Sequence, residues 1–131
     1  MKIIRVYWDA SAIVETLHAP PPSGAGFEHV TRTHTLAECF STLTGGRHLP
    51  RFDAGEVAGM LRQRAATMTL VDLPPAVVLD ALDKARRRGV RGGAVHDYLH
   101  AVAAELHGAA RILTLNIGDF RAVTRLPVAA P

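Results

Sequence analysis

The sequence predicts an α/β fold in which a central parallel sheet is covered by helices on both faces. Three observations predict it: short apolar runs rich in Val, Ile and Leu, stretches of helical spacing between them, and Gly or Pro breaks at the junctions. With 131 residues, 48% hydrophobic but only 5% aromatic, the core must rest on aliphatic side chains. That length fits one domain, residues 1–131, with no internal repeat or low-complexity tract.

The elements follow in order. Met1 to Trp8 reads as a strand ending at Asp9, and Ser11 to His18 as a helix stopped by APPPSGAG. His29 to Thr33 is a second short strand. From Thr35, the run TLAECFSTLT places Leu36, Cys39, Phe40 and Leu43 at helical spacing until Gly45-Gly46. Asp53 caps a helix through roughly Ala66, and Met68 to Val71 is a strand. Pro74-Pro75 opens a helix that closes at Arg86 to Gly89. After Gly92-Gly93 a helix spans about Ala94 to His107, followed by the strand Arg111 to Leu115. A short turn of helix over Ile117 to Ala122 and an edge strand at Leu126 to Val128 complete the chain.

Composition narrows the function classes. No apolar run approaches the ~18 residues that cross a bilayer, and the N-terminus turns acidic too early for a signal peptide, so the cytoplasm is expected. The single Cys39 excludes an internal disulfide and a cysteine-based zinc cage, and its apolar context predicts a reduced, buried thiol. A net charge of +3 with pI ≈ 9.6 is compatible with a polyanionic substrate without demanding one. No P-loop spacing and no G-x-S-x-G is present. An aspartate-nucleophile phosphatase is disfavoured because Ser11 stands two residues after Asp9, where a second Asp is needed.

The acidic residues carry the functional signal. In an open parallel sheet, ligands bind beyond the carboxyl ends of the strands. Asp9 ends the first strand and Asp119 closely follows the RILTL strand. Glu38 and Asp97 are expected in the first turns of their helices, so four carboxylates converge if those N-termini face the same edge. Clustered carboxylates call for a cation, and an all-oxygen set suits Mg²⁺ or Mn²⁺. Such an ion activates a water and steadies a phosphodiester leaving oxygen.

The segments VYWDASAIVE, THTLAECFSTL and GGAVHDYLHAVAAELHGAARILTLNIGDF, in that order, resemble a PIN domain, specifically the VapC-type toxins of bacterial toxin–antitoxin pairs. The resemblance covers nearly the whole chain. It implies a three-layer α/β/α fold, Mg²⁺-dependent endoribonuclease activity in which Mn²⁺ substitutes, and neutralisation by a partner antitoxin. Asp9 and Asp97 match the family's principal metal ligands and Glu38 its second acid. The fourth ligand is either Asp119 or, as a neutral group, Asn116. Ser11 and Thr114 match small hydroxyl positions that orient a carboxylate or a water. The rivals are a PIN-fold binding or regulatory module without catalysis, and a nuclease acting on DNA.

Each residue also has a plainer explanation. Thr35 and Glu38 form T-x-x-E, a capping box. Asp97 in a first helical turn complements the helix dipole, and Asp119 can cap the next short helix. His96 and His100, four apart, imitate a zinc pair, but Asp97 replaces the Glu of the metalloprotease pattern; partly exposed histidines tuning the neighbouring site are the preferred reading. Arg86, Arg87 and Arg88 suit a solvated helix end, which leaves Arg91 as the substrate-contact candidate. The apolar residues Val57, Met60 and Leu61 form either a homodimer or antitoxin surface, or core, with core the default.

Overall fold

The computed structural model describes residues 2–20, 24–46 and 50–131. Met1, the head of the expected first strand, and residues 21–23, inside the expected proline stop, lie outside the described residues. The elements alternate as expected: β1 (Ile4–Trp8), α1 (Ala10–Thr16), β2 (Phe27–Arg32), α2 (Thr33–Thr44), α3 (Ala54–Ala65), β3 (Thr69–Val71), α4 (Pro75–Lys84), α5 (Ala94–Leu106), β4 (Arg111–Leu113), α6 (Ile117–Arg121) and β5 (Val128–Ala129).

The strands form one sheet in the order β3-β2-β1-β4-β5, and every pairing is parallel. Central β1 pairs with β2 on one side, Tyr7 opposite Val30, and with β4 on the other, Tyr7 opposite Ile112. Its inner residues Val6, Tyr7 and Trp8 are all buried, as a strand covered on both faces requires. Alternation divides them. Val6 and Trp8 pack with Ala12 and Ile13 of α1, Cys39 and Leu43 of α2, and Val57 and Leu61 of α3. Tyr7 packs with Ala81 of α4, Tyr98, Ala101 and Ala104 of α5, and Phe120 of α6. The result is the three-layer α/β/α arrangement.

Local chemistry sets the boundaries. Asp53 is the expected N-cap of α3, accepting from the Glu56 backbone N–H at 3.2 Å, and Pro75 occupies the first turn of α4. Gly92, with φ of +58°, adopts the left-handed conformation that favours glycine and turns the chain into α5. Val57 and Leu61 are core rather than a surface, while Met60 is half-buried. Apolar groups exposed in their place include Leu79 and Leu82 of α4. Cys39 is a free, buried thiol, as expected. Among the described residues no helix is long and apolar enough to cross a membrane.

The expected start of α2 fails. The T-x-x-E pattern is not a capping box, because α2 begins at Thr33 directly from β2, with Arg32 as its N-cap at φ −80° and ψ 148°. Thr35 therefore lies inside the helix and is buried, and Glu38 sits in the second turn, not the first. The side chain of Glu38 is used elsewhere.

Candidate metal and nucleic-acid site

Because all strands run parallel, their carboxyl ends meet at one edge of the sheet. The chain leaves β1 towards β2 on one side and leaves β4 towards β5 on the other, and that divergence opens a crevice between β1 and β4. Asp9 follows β1 and Thr114 follows β4, so the two flank the crevice. The Thr114 hydroxyl donates to Asp9 Oδ2 at 2.6 Å. The Ser11 hydroxyl lies 2.8 and 3.0 Å from the two Asp9 oxygens, and the Ala12 backbone N–H donates to Oδ1 at 2.9 Å. Asp9 is thus a nearly fully buried carboxylate, 2% exposed, held in one orientation while also capping α1. Ser11 Oγ accepts from the Leu115 N–H at 2.9 Å, and Thr114 Oγ1 from the Asn116 N–H at 2.9 Å, which ties the loop after β4 to the same spot.

A cleft of about 310 Å³ opens above Asp9, and Glu38, Asp97, His100 and Asn116 line it with Asp9 and Ser11. A second hollow of about 300 Å³ adjoins it through Asp97 and is lined by Arg88, Gly93 and Asp119. Asp97 therefore stands between the two. Burial raises its carboxyl above the usual range; the charge of Asp9 raises it further, His100 pulls it down, and Asp119 and Glu38 push it up. The other three acids expected to converge all bear on Asp97, but Asn116 shares the cleft of Asp9, Glu38 and Asp97, whereas Asp119 is exposed in the hollow beside it. Arg91 is exposed, and it is Arg88 that faces the hollow.

Glu38 and His100 form a relay that the sequence did not announce. His100 is 1% exposed, so the expectation of a partly exposed residue fails for it and holds for His96, which is exposed. Its Nδ1 lies 2.6 Å from the Tyr7 hydroxyl and its Nε2 2.7 Å from Glu38 Oε1. Burial pushes the Tyr7 phenol well above its usual range, so Tyr7 keeps its proton. Burial also pushes the Glu38 carboxyl up, but the hydrogen bond from His100 and the charges of His100, His34 and His96 outweigh it and hold Glu38 below its usual range. With both ring nitrogens committed, His100 cannot pair with His96 on zinc. A signal for this existed: His100 falls among Tyr98, Ala101 and Ala104 on the buried stripe of α5, where a polar group must find partners.

The chain is similar in structure to PAE2754 from Pyrobaculum aerophilum, with 19% identity over 96% of this chain and 89% of that one, at a TM-score of 0.67. It is similar also to VapBC-1 from nontypeable Haemophilus influenzae (14% identity, 97% and 98% coverage, TM-score 0.70). A third likeness is to VapBC2 from Rickettsia felis, solved bound to a DNA fragment from their promoter (14% identity, 95% and 97% coverage, TM-score 0.70). The fold is the PIN fold. No protein-family model matches the sequence and no curated protein is similar enough to match, so at these identities the likeness is one of fold. Within that fold the donor set of the cleft, Asp9, Glu38 and Asp97 with the Asn116 amide, is all oxygen. Three further acids bear on Asp97, with His100 alone opposing them, and both features fit a hard divalent cation.

Proposed function

We propose that this chain is a divalent-metal-dependent endoribonuclease, the toxin half of a VapBC-type pair. The observation that carries the reading is the convergence of Asp9, Glu38 and Asp97 on one cleft at the carboxyl edge of a PIN-fold sheet. Asp9, Glu38 and Asp97 would hold the ion, with Asn116 or Asp119 completing the set. Mg²⁺, or Mn²⁺ in its place, supplies there the charge that acidifies a water and steadies the leaving oxygen of a phosphodiester.

The chain's own residues do the rest by position and charge. Ser11, Thr114 and the Ala12 N–H aim Asp9, and the Tyr7–His100 pair aims Glu38. Arg88, beside Asp97 and Asp119, is suited to a substrate phosphate. The choice of RNA follows the family resemblance, since this chemistry does not require a 2′-hydroxyl. An antitoxin partner and a homodimer belong to the same reading, as does a cytoplasmic setting; sedimentation with and without the antitoxin tests both assemblies.

The deciding experiment incubates matched RNA and DNA oligonucleotides with the wild type and Asp97→Asn, in Mg²⁺ and in chelator. Cleavage of RNA by the wild type in Mg²⁺ alone is expected. Equal cleavage of DNA would move the substrate class. No cleavage, with no Mn²⁺ uptake by calorimetry, would replace the enzyme with a binding module.

A further inference from the structure

Among the described residues, one set of three His, Cys, Asp or Glu side chains brings a ligand atom from each within 4.8 Å of the others: His34, Glu38 and His96. It differs in chemistry from the oxygen donors of the cleft, with two imidazoles and one carboxylate. His34 and Glu38 lie four residues apart on α2, on the same helix face, and His96 comes from the first turn of α5. Both histidines are exposed, while Glu38 is half-buried at the cleft wall.

We infer that His34, Glu38 and His96 form a second cation site, selective for a borderline-soft ion of the Zn²⁺ class, at the mouth of the carboxylate cleft. Three protein ligands and a solvent position are what a tetrahedral ion needs when it is not fully enclosed. Ligand lengths of about 2.0–2.2 Å set ligand-to-ligand edges of about 3.4 Å. Binding therefore requires the two exposed imidazoles to turn until the present spacing, within 4.8 Å, closes to that. Imidazole nitrogen favours Zn²⁺ and its neighbours in the transition series over Mg²⁺, which keeps to oxygen. The carboxylate is also prepared: His100 holds Glu38 Oε1 and is itself held by Tyr7, the kind of outer support that fixes a metal ligand.

Glu38 then belongs to two donor sets. With Asp9 and Asp97 it faces a hard ion, and with His34 and His96 a softer one. This second site does not require the chain to be a nuclease, so it is tested by binding rather than by cleavage.

The probe is Co²⁺, which reports tetrahedral nitrogen and oxygen ligation through intense visible absorption. Titration of the chelator-stripped protein should give that absorption at one equivalent. Zn²⁺ should abolish it by displacement, and excess Mg²⁺ should leave it. His34→Ala and His96→Ala, both at exposed positions and checked for fold by circular dichroism, should each weaken Co²⁺ binding by at least about tenfold. Asp97→Asn should keep the absorption. Weak octahedral absorption only, or full affinity in His34→Ala, would overturn the site. So would loss of the bands in Asp97→Asn with His34→Ala intact, which puts the ion among the carboxylates and leaves the nuclease reading standing.

Discussion

The Nε2 of His100 lies 2.7 Å from Oε1 of Glu38, and this contact joins the buried core to the cleft. On the core side, the Tyr7 hydroxyl meets Nδ1 at 2.6 Å. With Tyr7 keeping its proton, the phenol donates to Nδ1 and the Nε2–H donates to the carboxylate. Sixty-two residues of sequence separate His100 from Glu38 and ninety-three separate it from Tyr7, so the relay is made by the fold alone.

Tyr7→Phe tests the relay. The substitution leaves a buried ring nitrogen without its partner, a loss of about 1–3 kcal/mol. Urea unfolding should register that loss. If the relay also aims Glu38 at an ion, Mn²⁺ affinity by calorimetry should fall on the order of tenfold. Lower stability with unchanged Mn²⁺ affinity would reduce the relay to a packing device.

Asp97→Asn should stabilise the chelator-treated protein. Burial raises the Asp97 carboxyl, with Asp9 reinforcing the effect, so the folded chain binds that proton more tightly than the unfolded chain does. Stability is therefore lost as pH rises from the ordinary Asp range through the raised value, and at neutral pH the charge is a net cost. Asn removes it. Thermal unfolding at pH 7 in chelator should show a higher Tm for the variant. Saturating Mn²⁺ should reverse the order, because it stabilises only the form that binds it. An unchanged Tm in chelator would mean that the neighbouring charges are already relieved by solvent.

Much of this was legible in the sequence, for reasons that separate local from long-range physics. The order of strands and helices follows from periodicity and breakers, and the place of Asp9 follows from the abrupt end of an apolar strand. Asp97 was legible as an acid in a first helical turn, and it is one. The start of α2 was not, because β2 runs into the helix at Arg32 with no side-chain cap to mark it. That missing punctuation made Thr35 look like a cap and Glu38 its partner. His34 carries no local signal for a related reason: its neighbour is His96, brought up on another helix from across the sheet edge.

Cys39 should be chemically silent until the fold opens. Burial pushes its thiol up to about 12, and the charges of Glu38 and Asp9 add to the effect. Its Sγ lies 3.7 Å from the Ala10 carbonyl, a long and weak contact. Since the thiolate is the reactive species, iodoacetamide at pH 8 should leave the native protein unmodified and add one equivalent in denaturing urea. Rapid labelling of the native state would show that α2 separates from α1 readily, which the packing of Cys39 and Leu43 on Ala12 and Ile13 argues against.

The last prediction concerns the same face of the sheet, where the sole tryptophan reports on a buried cation. The Arg64 guanidinium lies 5.3 Å from the centre of the Trp8 ring, and it donates to the Thr16 carbonyl at 3.3 Å and to the Thr16 hydroxyl. Arg64 is only 4% exposed, so its removal loses packing, a cation–π contact and hydrogen bonds together. Arg64→Ala should cost about 2–3 kcal/mol in urea unfolding and shift Trp8 emission to the red. On its other side the Trp8 indole N–H donates to His29 Nδ1 at 2.9 Å, which needs that nitrogen unprotonated. Burial lowers the His29 pKa, helped by the charges of Arg64 and Arg111. A histidine depressed in the folded state contributes stability above its ordinary value near 6.5 and loses it as pH falls below. Acidification through that window should destabilise the wild type and perturb Trp8 emission, and His29→Gln should flatten both responses. A wild-type emission profile that stays level across the window would show that the Trp8–His29 contact does not depend on the charge of the ring.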